Sequence, residues 1–371
     1  MKIIILGTRG IPARYGGFET LAEELSKRLV QAGHQVTVAG RKSFFSKTKD
    51  DEYQFKEGTV RRVFAPTIFH KYLETPLHAL TSFLKLFLLE KFDVALLCNA
   101  ANSPFSFLIR LRGIPLITNV DGIERNRSKW NSFGKIWYKL GERTAVMFSS
   151  KVLTDADVIK NYYKEKYNVN TAIIRYGCDP KPIQPGLILT KFNLKPKNYI
   201  LYVSRFEPEN NALGVITAYN KINSEMPLVM VGDAPYAQKY KEELHAAASN
   251  NANIIFTGFQ FEESYRELRS NTAIYIQATE VGGTHPALVE AMSYGNCIIA
   301  NDVPEHREVL LEAGLYYNKN DFSDLALKLE KLLHNPELRS KLEMNTTTVA
   351  KNLSWDNISN QYIDLFKQVA L

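Results

Sequence analysis

The chain has 371 residues, of which 45% are apolar and 23% charged, which excludes wholesale disorder and suits two domains better than a single core. Its charge is uneven: Met1 to Cys178 carries 28 Lys and Arg against 16 Asp and Glu, a net of +12, and Asp179 to Leu371 carries 18 against 23, a net of −5. Apart from the plain alternative of a solvated surface, such a basic half suits phosphates, a membrane surface or nucleic acid.

Taken in chain order, Lys2–Leu6 reads as a buried strand rather than a signal peptide, because its apolar run is short and ends in a glycine turn. Gly7–Gly17 is a glycine-rich loop, Phe18–Ala32 a helix with Phe18, Leu21, Ala22, Leu25 and Leu29 at helical spacing, and Val36–Ala39 the next strand. Together they form one βαβ unit. Val94–Cys98, Leu116–Asn119 and Lys151–Thr154 read as further strands, with helices over Leu77–Leu89 and Ser132–Met147. The stripe Leu77, Leu80, Leu84, Phe87 and Leu88 is expected to face the core, with a membrane-binding face as the alternative. Leu77–Leu97 is not a membrane span, since Lys85, Glu90, Lys91 and Asp93 interrupt it. Cys98, Cys178 and Cys297 stand far apart, which argues against disulfides or a zinc site and fits a reducing, cytoplasmic setting.

Tyr176–Pro185 is the best linker. Beyond it, strands at Tyr199–Val203, Leu228–Val231, Ile254–Phe256, Ala273–Gln277 and Cys297–Ala300 alternate with helices at Ala212–Ile222, Tyr236–Ala248, Glu262–Arg269 and Pro286–Tyr294. That alternation predicts a parallel sheet covered on both faces, so the class is α/β. Residues 1–178 and 186–354 form the expected domains, and 355–371 a closing helix.

Three motifs carry chemistry. Gly7-Thr8-Arg9-Gly10, followed by Gly16-Gly17, is either an anion cradle at a helix N-terminus or a tight turn; it lacks the spacing of a dinucleotide fingerprint, and Gly40-Arg41 stands where a ribose-binding acid would close the second strand. Arg205, in Val203–Asn211, stands at the end of a strand, where its fork of donors suits a diphosphate; the alternative is pairing with Glu207 or Glu209. In Glu280–Met292, Pro286 opens a helix, so Gly282, Gly283 and Thr284 wrap its N-terminus. Glu290, one turn up, suits the hydroxyls of a ribose, or is a plain solvated residue. Its apolar neighbours predict a buried carboxylate that needs partners.

Together with Arg205-x-x-Pro208-Glu209, Val231-Gly232-Asp233, Phe256-Thr257-Gly258 and Glu290-Ala291-Met292, these motifs resemble retaining glycosyltransferases of family 4, with two Rossmann-like domains facing a cleft (GT-B). GTRGIPARYGGFET, Asn119–Glu124 and Val281–Thr284 resemble, more narrowly, a bacterial subgroup with rhamnosyltransferases that build capsule and O-antigen. The resemblance spans nearly the whole chain. It implies an acceptor-binding first domain, a nucleotide-sugar-binding second domain and a last helix crossing back to the first. The implied reaction is metal- and cofactor-independent transfer of a sugar, L-rhamnose from a dTDP or UDP donor, to a lipid-linked saccharide at the inner face of the membrane.

In this chain the resemblance assigns catalysis to Arg205 and Asp121, and donor binding to Gly16, Gly17, Asn210, Gly282, Gly283, Thr284 and Glu290. Two positions depart from the family: Gly282 replaces the first of its paired glutamates, with Glu280 two residues early, and Asn210 replaces its phosphate-binding lysine. A nucleotide-sugar epimerase or hydrolase is the second class, and a non-enzymatic anion or nucleic-acid binder the third. Arg125–Tyr138, where basic residues mix with Trp130, Phe133 and Trp137, reads as helix packing or an acceptor rim, so nucleic acid is not among the expected partners.

Overall fold

The computed structural model describes residues 1–13, 16–45, 49–70, 72–120, 122–126, 130–234 and 237–370. Two compact units emerge, one of Met1–Tyr176 with the residues from Trp355 on, the other of Gly177–Ser354.

The strands of the first unit are β1 (Lys2–Leu6), β2 (Gln35–Arg41), β3 (Asp51–Gln54), β4 (Thr59–Ala65), β5 (Val94–Cys98), β6 (Leu116–Val120), β7 (Lys151–Thr154) and β8 (Ala172–Ile173). They are ordered β3-β4-β2-β1-β5-β6-β7-β8, parallel except for β3 against β4. Helices α1 (Gly17–Gln31), α2 (Glu74–Lys85), α3 (Phe107–Leu111), α4 (Ser132–Phe148) and α5 (Asp157–Tyr167) belong to this unit. Strands β1 and β5 have almost no exposed side chain, as strands covered on both faces must.

The α2 stripe does not face the core. His78, Ala79, Ser82, Phe83 and Leu86 fill the inner face, whereas Leu84, Phe87 and Leu88 are exposed. The two sets lie on opposite sides of a 3.6-residue helix, so burying one face leaves the other outward. His78 is buried with its Nε2 near the Gly40 carbonyl (3.2 Å), and burial, then the neighbouring Arg41, lowers its pKa to about 3.

In the second unit the strands are β9 (Ile200–Val203), β10 (Leu228–Val231), β11 (Ile254–Gly258), β12 (Ile274–Gln277), β13 (Cys297–Asn301) and β14 (Leu315–Tyr317), ordered β11-β10-β9-β12-β13-β14. All its pairings are parallel. The helices are α6 (Leu187–Lys191), α7 (Ala212–Tyr219), α8 (Gln238–Ala248), α9 (Glu262–Asn271), α10 (Pro286–Ser293), α11 (Pro304–Leu310), α12 (Phe322–Leu333) and α13 (Pro336–Ala350). This is the doubly wound order of a mononucleotide-binding sheet, with the winding reversing between β9 and β12. A ligand crevice opens at the carboxyl ends of the two strands flanking such a reversal. In the first unit the same reversal falls between β1 and β5.

The last helix, α14 (Trp355–Ala370), belongs to the first unit. Arg28 Nε meets Asp356 Oδ1 at 2.6 Å, and the buried Asn119 Nδ2 donates to Tyr362 Oη at 3.0 Å. These two polar contacts join residues 328 and 243 positions apart, which no local pattern encodes.

Candidate functional site

The loop after β9 is built around one close approach. Gly232 (φ +146) lies so near the Ser204 carbonyl that a β-carbon there would stand 1.8 Å from its oxygen. Ser204 N–H donates to Val231 O (3.0 Å) and Phe206 N–H to Asp233 O (3.1 Å), which prolongs the β9–β10 pairing past the strand ends. The Arg205 carbonyl then accepts from Glu207 N–H (2.8 Å) and Asn210 Nδ2 (2.7 Å), and Tyr202 Oη donates to Asn210 O (2.7 Å). The Arg205 backbone is therefore fixed, while its side chain is exposed and makes no hydrogen bond or ion pair among the described residues. No pairing with Glu207 or Glu209 consumes it. Asn210 is buried and spends its amide nitrogen on the Arg205 carbonyl, so it shapes this loop from within.

The loop after β12 lies beside it. Glu280 N–H donates to Glu209 O (3.1 Å), and Asn211 Nδ2 to Ala278 O (2.9 Å). The Glu280 carboxylate is held by the Asn320 amide, which also accepts from Asn211 (3.0 Å) and Asn301 (2.9 Å). Gly282 (φ +157) would place a β-carbon 2.7 Å from the His285 ring. Gly282, Gly283 and Thr284 are buried and lead into Pro286, the first residue of α10. The N–H groups of Gly282, Gly283 and Ala287 make no hydrogen bond among the described residues. They are the donors that a helix N-terminus offers an anion.

A polar relay that sequence reading misses backs this loop. His306 Nδ1–H donates to Asn301 O (2.8 Å), so its Nε2 accepts from Thr279 Oγ1 (3.0 Å), and Thr279 in turn accepts from Gln277 Nε2 (2.7 Å). His285 Nε2 reaches the same hydroxyl at 3.2 Å. Burial holds His306 neutral, its pKa lowered to about 4.

Glu290 has the partners its buried surroundings call for. Its Oε2 accepts from Arg269 Nη1 (2.5 Å) and Tyr265 Oη (3.2 Å). Arg269 is 3% exposed and lies 3.9 Å over the Tyr265 ring, with Nε and Nη2 buried and unbonded among the described residues. Burial opposes its charge, yet the attraction of Glu290 keeps its pKa above the ordinary value. Oε1 of Glu290 makes no hydrogen bond among the described residues, and that oxygen is what it offers a ligand. Cys178 accepts from Ser293 Oγ (3.0 Å), and burial raises its thiol to about 12, so it is inert.

The glycine loop of the first unit supplies its own anions. Arg9 N–H donates to Glu19 Oε1 (2.8 Å) and Ala13 N–H to Glu23 Oε2 (2.6 Å), both carboxylates from α1. The cradle reading is corrected at these two groups: acidic residues on the helix it feeds already occupy them. Gly7 (φ +84) answers a tight approach, its missing β-carbon leaving room for Cys98 O at 2.3 Å. Gly16 caps α1 and Gly17 opens it. Asp121 lies outside the described residues. Among the described residues no group of three or more His, Cys, Asp or Glu could hold a metal ion, and no helix is long and apolar enough to cross a membrane.

Residues 189–349 match the family Glycosyl transferases group 1. Residues 1–179 match a family described as a domain of unknown function (DUF1972). The chain is 24% identical over 184 residues to O-antigen chain mannosyltransferase B of Escherichia coli, which covers 48% of each protein. It is 25% identical over 245 residues to an uncharacterized glycosyltransferase of Methanocaldococcus jannaschii, covering 66% of this chain and 65% of that one. The chain therefore spans about half the length of the first relative (48%) and just under two thirds of the second (65%). Sucrose-phosphate synthase from Thermosynechococcus elongatus superposes with a TM-score of 0.84 at 18% identity, over 99% of this chain and 98% of that one. Anabaena HepE in complex with UDP-glucose gives 0.79 at 15%, over 99% and 100%. The fold is GT-B, with two parallel-sheet α/β units as the alternation of strands and helices predicts.

Proposed function

We propose that this protein is a retaining, metal-independent glycosyltransferase of family 4. It moves a hexose, L-rhamnose by its motif resemblance, from a dTDP- or UDP-linked donor to a lipid-linked saccharide in surface-polysaccharide synthesis. The observation that carries this reading is Arg205: a solvent-facing cation without a partner among the described residues, on a backbone fixed by two hydrogen bonds, at the β9–β12 reversal of a mononucleotide-type sheet.

In this mechanism the sugar–phosphate bond breaks as the acceptor hydroxyl enters on the same face. Charge gathers on the departing diphosphate, where Arg205 and the N–H groups at Gly282, Gly283 and Ala287 stabilise it. Oε1 of Glu290 receives the ribose hydroxyls, and Thr284 lines the sugar. Asn210 acts through Arg205 by fixing its carbonyl. By the motif resemblance, Gly16 and Gly17 take part in donor binding and Asp121 in orienting the acceptor hydroxyl. HepE's complexes with UDP and UDP-glucose support a nucleotide-sugar ligand. The O-antigen mannosyltransferase supports a saccharide acceptor and makes mannose the second candidate sugar.

The test is a thermal-shift screen of dTDP-rhamnose, UDP-rhamnose, GDP-mannose and UDP-glucose, since a ligand that binds only the folded state raises its melting temperature. One donor should do so, and Arg205→Ala should weaken it about tenfold to a hundredfold, the worth of a charge-assisted hydrogen bond, without changing the free protein's melting. If no nucleotide sugar binds, or Arg205→Ala binds as well as the parent, the proposal fails. Donor turnover without acceptor would instead favour an epimerase or hydrolase. Salt-sensitive DNA binding without sugar binding would favour the anion binder.

A further inference from the structure

Large apolar side chains left in solvent are gathered in one part of this molecule. Among the described residues, twelve of seventeen lie between Ile68 and Met147, in the first unit. The most regular group is on α4. Phe133, Ile136, Leu140 and Met147 are 56%, 67%, 43% and 71% exposed, at spacings of three, four and seven residues that place them in one stripe. Lys135, Lys139 and Arg143, each four residues apart and exposed, run beside them. The helix has one acidic residue, Glu142, and it is turned inward. It is buried there with Arg125 (3.1 Å), Lys166 (3.3 Å) and the hydroxyls of Tyr162 and Tyr167 (2.6 Å each).

The solvent face of α4 thus combines three positive charges, no negative charge and four large apolar groups. At its start, Tyr72 packs edge-on against Phe133 with ring centroids 6.4 Å apart. A contiguous apolar stripe marks an interaction surface, and a flanking basic row fits lipid phosphates, its stems lying along the apolar boundary. The net +12 of Met1 to Cys178 favours an anionic surface. A symmetric second copy would set the same cations against each other. RNA would call for stacking aromatics, and three of the four apolar groups are aliphatic.

We infer that α4 docks this protein on an anionic lipid bilayer, its apolar stripe entering the headgroup boundary while Lys135, Lys139 and Arg143 meet the lipid phosphates. This deepens the lipid-linked acceptor reading and rests on it for purpose, but its test needs no donor. The full chain is sedimented with vesicles of phosphatidylcholine alone, and of phosphatidylcholine mixed with phosphatidylglycerol. It should pellet with the mixed vesicles, less as salt rises. Lys135→Gln/Lys139→Gln/Arg143→Gln should weaken partition on the order of a hundredfold, a few-fold per charge near an anionic surface. Ile136→Ser/Leu140→Ser should also weaken it, and both variants should melt as the parent does because every changed side chain is exposed. The inference is overturned by a chain that does not pellet, or by partition indifferent to both variants. It is equally overturned by RNA binding in place of vesicle binding, or by a dimer that Ile136→Ser/Leu140→Ser dissociates. A parent chain that binds a donor but does not pellet refutes the docking surface alone; one that pellets but binds no donor refutes the transferase reading alone.

Discussion

Removing Glu290 should harm the second unit more than removing the cation it pairs with. Arg269 is 3% exposed, and Nη1 is its one nitrogen bonded among the described residues, to Glu290 Oε2 at 2.5 Å. Glu290→Ala therefore strands a guanidinium away from water, at a cost of about 3–5 kcal/mol. For a unit of this size each kcal/mol lowers melting by about 2–4 °C, so the loss should be about 6–20 °C. Arg269→Met leaves a carboxylate whose side chain is 19% exposed and still bonded to Tyr265. Water reaches that group, so the expected cost is about 1–2 kcal/mol. Arg269→Met/Glu290→Leu removes both charges and keeps the volume, and should melt near the parent. Calorimetry compares the four proteins, and the double variant should be more stable than Glu290→Ala. If Glu290→Ala melts with the parent, or the double variant is as weak as Glu290→Ala, the stranded-charge argument is wrong. The series also separates fold from function. Arg269→Met keeps the carboxylate and the double variant lacks it, so the difference in donor affinity between these two isolates its contribution to binding.

Gly232→Ala should destabilise the second unit by more than about 2 kcal/mol, because a backbone carbonyl must retreat from the new β-carbon. Gly258→Ala, at φ +70 with nothing within 4 Å, should cost only about 1 kcal/mol, and equal melting of the two variants would refute the close-approach argument. Stability should fall on acidification between about pH 6.5 and 4. His306, lowered to about 4, and His78, lowered to about 3, are buried neutral while the unfolded chain takes up their protons, so the stabilisation is whole above 6.5 and is lost as pH falls. His306→Gln should flatten melting temperature against pH in that window, and an unchanged slope would sink the assignment.

The local alternation of apolar strands with amphipathic helices is a property of short windows, so it was legible. Val94–Cys98, Leu228–Val231 and Cys297–Ala300 form strands at the residues their patterns mark, or within one of them. Strands β3 and β4 were not legible: Asp51–Gln54 is polar at an antiparallel edge, and β4 holds Arg61 and Arg62 in its middle. Arg62 is tolerated there because Asp51 lies 2.6 Å from its Nη2 and the Ile11 carbonyl 2.9 Å from its Nη1. Asp51 stands opposite Arg62 on the paired edge strand, and Ile11 lies 51 residues away.

By itself, then, the sequence determined the α/β class, the loops at strand ends and the presence of an arginine, a glycine turn and a glutamate suited to a nucleotide. Only the tertiary structure decided what each could do. Sheet order placed Arg205 and the Gly282 loop on either side of the β9–β12 reversal, and packing gave Glu290 to Arg269. Glu19 and Glu23 closed the first glycine loop, and the α2 and α4 leucines turned outward. Helical and strand periods record which residues share a face. Which face is buried, and which charge meets which, follows from contacts between segments that no window of sequence contains.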